Sequence, residues 1–475
     1  MAARPNLMYV FADQLRRQSC GYAGDIRART PSIDLLAAEG MDLRQAISGS
    51  PMCAPYRASL FTGKYSSSTG MVINELRMNP AHDCMGHVLG RAGYDLVYIG
   101  KWHLFAAMAG GHERGENQFV PPGPHRLGFD GFWAGYNFWH NYYRAFYYGD
   151  DGRRVTVEGY EPDRQTELAL RWLESGRQVG RPFALFLSYG TPHDPWTPAN
   201  VPAAYLQRFR DIPFPPPRTY AAGSAEYWNP RKDRQWWLDT VGPNLEGWQR
   251  IYAAMTANLD WNVGRLLRGL DRMGLGEDTL VVFTSDHGEM FGAHGRIAKN
   301  IFYEEAVRVP FLMRWPGRVP ASGVSDVLLN TPDIMPTLLS LLGVPIPTGV
   351  EGLNLARAAR GLPGPEPDEA LLQGMGATFL WEDGYEWRAL RDRRFTYAIA
   401  RVDGREYLFD RVADPLQARN LASEAGSADV LARYRAALHR RLAALGDTFE
   451  ACTWYRDHWT RDRVILRSAT FDASN

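Results

Sequence analysis

The stretch TLVVFTSDHGE, Thr279 to Glu289, joins a continuous β-branched and aromatic run to an abrupt polar cluster. The run has the length of a strand and lacks the polar alternation of a half-exposed one, so it predicts a strand covered on both faces. Three other runs share this shape: NLMYVFAD (Asn6 to Asp13), YDLVYIG (Tyr94 to Gly100) and FALFLSYG (Phe183 to Gly190). Helices with readable ends lie between them. TPSIDLLAAEG offers Thr30 as N-cap, Pro31 at the first helical position and Gly40 as a stop, and TPDIMPTLLSLLG, Thr331 to Gly343, predicts the same arrangement. Leu259, Val263, Leu266, Leu270 and Met273 share one face of a longer helix that stops at Gly274. Alternation of this kind predicts an α/β fold, a large mostly parallel sheet sandwiched by helices.

The pattern changes after RGLPGPEPDE, Arg360 to Glu369, which sets an expected boundary between a catalytic domain over 1–362 and a smaller α+β domain over 363–475. Beyond it, RFTYAIA and EYLFD flank a turn containing Asp403-Gly404, a hairpin signal, and an amphipathic helix is expected from Val430 to Leu445. The segment from Gly110 to Tyr160 and the run RDIPFPPPRTY read as long loops.

Lysine and arginine total 53, as do aspartate and glutamate, so no global charge draws the chain to nucleic acid or an anionic membrane. No run approaches the ~18 apolar residues of a membrane span. The N-terminal residues pass directly into a strand-like run with no visible signal peptide, and the expectation is a cytoplasmic protein. Cys20, Cys53, Cys84 and Cys452 are scattered without paired spacing, which predicts neither a disulfide framework nor a structural zinc site.

Each of the four apolar runs ends on residues capable of chemistry. The first gives Asp13 and Gln14, the second Lys101 and His103 of GKWH, the third His193 of TPHDPW, and the fourth Asp286 and His287. Ligands of open α/β sheets bind beyond the carboxyl ends of the strands, so these four loops are expected to meet on one edge. Taken singly, a polar residue after a strand is more often a helix cap or an ordinary satisfied side chain, and the repetition is what carries the expectation. Asp13, Gln14, Asp286 and His287 form a shell for a single divalent cation; such oxygen-dominated shells suit calcium, magnesium or manganese, the imidazole nitrogen moves the preference toward manganese, and zinc is disfavoured because no His and Cys cluster has the usual spacing.

SPMCAPYRASLFTGKY, Ser50 to Tyr65, places Cys53 before a helix with Pro55 in its first turn and Gly63 at its end. A helix start offers unsatisfied N–H groups and a positive dipole end, which stabilise a thiolate or a bound oxyanion, and Arg57 adds charge one turn on. The bland alternative is a small buried cysteine, the expectation for Cys20, Cys84 and Cys452. CAPYR, Cys53 to Arg57, resembles the Cys-x-Pro-x-Arg signature of sulfatases, whose cysteine is converted to formylglycine. GYDLVYIGKWHL, LSYGTPHDPW, VVFTSDHGEMFGAHGRIAK, GVEGLNL and YLFDRVADPLQARNLA resemble sulfatase segments in family order, over nearly the whole chain.

That resemblance implies an alkaline phosphatase-like fold with a smaller C-terminal antiparallel sheet and helix. It also implies a formylglycine-generating enzyme as maturation partner, and a hydrated aldehyde at Cys53 that attacks sulfur and then expels sulfate. By position, Asp13, Gln14, Asp286, His287 and the modified Cys53 would hold the cation, and Arg57 and Lys101 would steady the nucleophile. His103 would assist sulfate release, and His193 and Lys299 would bind sulfate and protonate the leaving group. Many sulfatases carry a second aspartate where this chain has Gln14, which lowers the negative charge at the metal. Gln14 opens phosphonate monoester or phosphodiester hydrolysis as an alternative, and an unmodified Cys53 would instead mean a non-catalytic carbohydrate or metal binder. The expected substrate is a carbohydrate or aryl sulfate ester. The aromatic segment Phe132 to Asp150 suits a sugar or aryl group, with Asn137, His140, Arg144 and Trp196 as candidate contacts and Asn74 and His294 in similar neighbourhoods.

Overall fold

The computed structural model describes residues 4–223 and 234–473. Its strands β1 (Asn6–Asp13), β2 (Met41–Leu43), β3 (Asp95–Lys101), β4 (Phe132–Tyr136), β5 (Phe146–Tyr148), β6 (Arg154–Thr156), β7 (Phe183–Pro192), β8 (Thr279–Ser285), β9 (Phe311–Arg314) and β10 (Gly323–Ser325) form one mixed sheet. The order among the described residues is β10-β2-β9-β8-β1-β7-β3-β4-β5-β6. The central neighbours β8, β1, β7, β3 and β4 all run parallel, and antiparallel pairing enters at β9 and at β5 and β6.

Alternate residues of β1 explain why its run is apolar throughout. Leu7, Tyr9 and Phe11 join the core on one face and Met8, Val10 and Ala12 the core on the other. The first face is covered by α1 (Cys53–Thr62) and the helix Thr331–Leu341, and the second by Pro31–Ala38, Glu161–Arg171 and Gly242–Arg272. A strand buried on both faces has no need of a polar stripe.

The segment 110–160 departs from the loop reading. It contains β4, β5 and β6, and β4 lies in register against β3. The other revision is a cap: Asn330, not Thr331, closes the start of Thr331–Leu341, accepting from the Thr331 N–H while Asp333 accepts from the Asn330 N–H. Thr30 likewise makes no capping bond and instead donates to the Asp34 carboxylate.

A second, antiparallel sheet comprises β11 (Ala370–Gly374), β12 (Trp387–Arg391), β13 (Phe395–Ala400) and β14 (Glu406–Asp410), with the Asp403-Gly404 turn joining the last two. One face packs on the helix Ala428–Leu445 through Leu371, Leu390, Tyr397 and Leu408. The other face, through Leu372, Trp387, Ala389 and Phe409, packs on Met290, Ile301, Phe302 and Tyr303. That contact seats the loop that carries Lys299. Asn300 on the same loop donates to the Gly376 carbonyl at 2.8 Å, and its own carbonyl accepts from the Trp387 indole at 3.1 Å.

Candidate active site

The parallel run of β8, β1, β7 and β3 brings all four polar ends to one edge of the sheet. Asp13 ends β1 with Gln14 just beyond, Lys101 ends β3 with His103 just beyond, His193 follows β7, and Asp286 and His287 follow β8. Gln14 and His103 adopt positive φ, 69° and 60°, as do Ala298 at 66° and Asn300 at 67° on either side of Lys299. Side-chain residues held in this region carry local strain, and here the strain collects at the strand-end loops.

Helix α1 runs into the same edge with all ten of its residues buried. Gly63 ends it in the left-handed region with its N–H on the Ser59 carbonyl, and at its start the Ala54 N–H donates to Oδ1 of Asn74 at 2.9 Å. Cys53 therefore opens the helix inside the cluster. Its Sγ lies 3.3 Å from Nε2 of His287 and 3.6 Å from Oδ1 of Asp13. Ligand atoms of Asp13, Cys53, Asp286 and His287 all fall within 4.8 Å of one another, and all four residues are buried.

The donor set fits a hard divalent cation. The His287 Nδ1 lies 3.0 Å from the Gly288 carbonyl, which can only accept, so Nδ1 carries the proton and Nε2 turns its lone pair toward the cluster. Two carboxylates then face an imidazole nitrogen. The Gln14 N–H donates to Asp286 at 3.0 Å, its Nε2 to Glu289 at 2.7 Å, and its Oε1 accepts from Lys299 at 2.6 Å. Glu289 is itself fixed by the N–H groups of Phe291 and Ala298. This chain of bonds holds the Gln14 amide with its oxygen toward the site.

Cations surround the cluster on its other sides. Lys101 Nζ pairs with Asp13, and Arg57 reaches Asp286 at 3.3 Å and Asp13 at 3.6 Å. Arg57 is further fixed by the Lys101 carbonyl at 2.6 Å and the Ser188 hydroxyl at 2.8 Å. Burial works against the Asp13 anion, but Lys101, His193, Lys299 and Arg57 together hold its carboxyl well below the usual range. Asp286 is pushed up to about 6 by burial and the neighbouring Asp13.

Burial and the adjacent Asp13 push Cys53 up to about 11, outweighing the nearby lysines. As encoded, Cys53 is a neutral thiol rather than a thiolate. Cys20, Cys84 and Cys452 are buried thiols as expected.

Three more imidazoles line the approach. His193 Nδ1 lies 2.8 Å from the Asp194 carbonyl, so its Nε2 accepts from Lys299 at 2.7 Å. His140 stacks on His193 at 4.0 Å, with Nε2 3.4 Å from Lys101 Nζ and Nδ1 3.2 Å from the Tyr142 hydroxyl. Burial and the nearby lysines keep both rings neutral, with His193 lowered to about 4. His103 is buried against Phe138 at 4.6 Å, and neither ring nitrogen has a partner among the described residues.

The sequence candidates thus separate. Asp13, Gln14, Cys53, Arg57, Lys101, His140, His193, Asp286, His287 and Lys299 join one network, with His103 beside it. Asn74 supports the start of α1. Asn137 accepts from the Phe105 N–H and donates to the Asn117 carbonyl, so it braces two loops. Trp196 packs on Phe291 at 4.8 Å with its indole N–H on Pro192, and His294 stacks on Tyr303 at 3.9 Å. Arg144 is exposed and makes no side-chain bond or ion pair to the network among the described residues. Sequence reasoning missed Glu289, Ser188 and Phe138. SDHGE ends on the first of these, a carboxylate four residues from β8, and that signal was there to be read.

The chain is similar to several known proteins over most of its length. A family model described as sulfatase matches residues 5–344, and one described as N-sulphoglucosamine sulphohydrolase, C-terminal, matches residues 292–445. An ulvan-active sulfatase of Formosa agariphila is 36% identical over 462 residues, covering 95% of this chain and 84% of that protein. An endo-4-O-sulfatase of Bacteroides thetaiotaomicron is 28% identical over 521 residues, covering 98% and 96%. A solved structure from the glycosaminoglycan metabolism of Bacteroides thetaiotaomicron superposes with a TM-score of 0.79 at 27% identity, covering 96% of this chain and 98% of that one.

Proposed function

The chain belongs to the sulfatase family and is a sulfuric ester hydrolase, and on that premise we propose that it removes sulfate from a sulfated carbohydrate, using Cys53 after conversion to formylglycine and one divalent cation. The observation that carries this reading is the placement of Cys53 at a buried helix start, within 4.8 Å of the ligand atoms of Asp13, Asp286 and His287. The relatives named for ulvan and for an endo-4-O-sulfatase supply the carbohydrate class. A formylglycine-generating enzyme is the maturation partner that this reading requires.

Asp13, Asp286, His287 and Oε1 of Gln14 would hold the cation beside residue 53, calcium being the first choice for so oxygen-rich a set. Cation and formylglycine together supply an activated oxygen nucleophile and a route for releasing sulfate. The protein's own groups do the rest. Arg57 and Lys101 offset the carboxylates, so that an anionic ester meets a site that is not net negative. Lys299 Nζ and His193 Nε2, 2.7 Å apart, share a proton-donating position suited to the sulfate oxygens and the departing alkoxide. His103 has a free nitrogen to take a proton during release.

Comparing kcat/KM for matched aryl sulfate and aryl phosphonate monoesters tests the reaction class. A preference for the sulfate is expected. A strong preference for the phosphonate would move the assignment to phosphonate monoester hydrolysis.

A further inference from the structure

Asn74 and Glu75 are buried neighbours, and each anchors a different loop beside the catalytic cluster. Oδ1 of Asn74 accepts from the Ala54 N–H at the start of α1, and the Asn74 N–H donates to the Thr378 carbonyl at 2.8 Å. Glu75, held at a φ of 59°, binds the other loop: its Oε2 accepts from the Gly110 N–H at 2.6 Å, and its Oε1 lies 2.8 Å from Nε2 of His112.

The first loop, residues 376–380, leaves the end of β11 and is tied to the site a second time. Asn300, the residue after Lys299, donates to the Gly376 carbonyl at 2.8 Å. Gly376 itself is pressed on the core, since a Cβ there would fall 2.2 Å from Sγ of Cys452. One asparagine therefore separates the loop from the residue after Cys53, and another is the residue after Lys299. Thr378 and Phe379 remain exposed on it, Phe379 at 42%, and the Phe379 ring stacks on no other ring among the described residues. A lone exposed phenylalanine is ordinary at a protein surface. What sets this one apart is a loop pinned from beside both the nucleophile and Lys299.

The second loop lays His112 on Phe138, with ring centroids 4.0 Å apart. Phe138 in turn meets His103 at 4.6 Å and His140 at 4.5 Å, and its face lies 4.8 Å from Lys101 Nζ. A carboxylate can only accept, so Nε2 of His112 carries the proton and Nδ1 is an acceptor. The His112 side chain is 37% exposed, and Nδ1 has no partner among the described residues.

We propose that these two loops form the saccharide subsite of the enzyme, in which Phe379 takes the apolar face of a pyranose ring and Nδ1 of His112 accepts from a sugar hydroxyl. The inference rests on the sulfated-carbohydrate reading and deepens it by naming residues that select the sugar. A pyranose has a patch of C–H groups that suits an aromatic face, and hydroxyl donors that suit a neutral imidazole. A largely apolar wall with a few placed polar groups is the usual make-up of such a site.

The test compares the parent with Phe379→Leu, Phe379→Tyr and His112→Ala, as intact matured proteins, on sulfated ulvan and glycosaminoglycan oligosaccharides. Inorganic sulfate, used as an inhibitor, reads the sulfate position alone. On the best oligosaccharide, Phe379→Leu is expected to raise KM about tenfold and His112→Ala about fivefold, with kcat little changed, as for groups that bind substrate and transition state alike. Phe379→Tyr keeps the aromatic face and is expected to restore the parent KM, and the inhibition constant of inorganic sulfate stays the same in all three. A KM unmoved in Phe379→Leu or His112→Ala, a tyrosine variant no better than the leucine one, or a sulfate inhibition constant that shifts with KM overturns the proposal and leaves the carbohydrate reading standing. A parent that hydrolyses aryl sulfates and none of the saccharides removes the carbohydrate reading, and this inference with it. Both side chains are exposed, so melting temperatures near the parent's are expected; should one variant fail to fold, the other decides.

Discussion

The imidazole of His140 lies flat on that of His193, with ring centroids 4.0 Å apart and planes 6° from parallel. Tyr142 sets this geometry, since its hydroxyl meets Nδ1 of His140 and the carbonyls of Gly190 and His193 at 3.2, 2.6 and 3.1 Å. The stack holds His193 Nε2 against Lys299. His140→Ala is therefore expected to lower kcat/KM on an aryl sulfate by about 10–100-fold through misplacement of His193, with the melting temperature little changed. His140→Phe, which keeps the stacked face and loses the nitrogen beside Lys101, is expected to fall between the two. Steady-state kinetics with thermal melts on the same samples check both.

Gln14 sits between an anion and a cation, its Nε2 2.7 Å from Glu289 and its Oε1 2.6 Å from Lys299. Gln14→Glu changes only the charge pattern, and it turns a hydrogen bond to Glu289 into a contact between buried carboxyl groups. One of the two must stay protonated or move. The expected outcome is a loss of about 1–3 kcal/mol of stability at pH 7, measured by urea unfolding, from the lost bond and the buried clash. Unchanged stability would show that the amide is not oriented by Glu289.

The second sheet is tied to the C-terminal residues by a buried bidentate pair. Arg388 Nε and Nη2 reach the two oxygens of Asp447 at 2.6 and 2.8 Å, with side-chain exposures of 0% and 1%. Burial opposes the Asp447 anion, but Arg388 and bonds from Phe449 and Gln373 hold its carboxyl below the usual range. A carboxyl depressed in the folded state contributes stability that is fully present above the unfolded value of ~3.9 and is lost as pH falls through the lower folded value. Asp447→Asn leaves Arg388 buried without its partner and is expected to cost ~3–5 kcal/mol at neutral pH. The deficit should shrink below pH 4 in urea titrations that compare the two proteins.

The central sheet was legible because its strands are buried on both faces, which writes them as uninterrupted apolar runs with polar ends. Those ends became Asp13, Lys101, His193 and Asp286 on one edge, in the order β8, β1, β7, β3. Strands β4 to β6 were not legible, since β6 is wholly exposed and β4 and β5 lie in an aromatic segment without a strand period. Nor could sequence separate His140, which enters the site, from Asn137 three residues earlier, whose amide binds Phe105 and Asn117. That distinction depends on loop conformation.

The central claim is that Cys53 works only after conversion. The direct measurement is mass spectrometry of the Cys53 peptide beside sulfate release from a sulfated oligosaccharide, for protein made with and without a formylglycine-generating enzyme. The account predicts that turnover scales with the converted fraction and vanishes in Cys53→Ala, which keeps its fold. Full turnover from protein carrying only the intact thiol would contradict it.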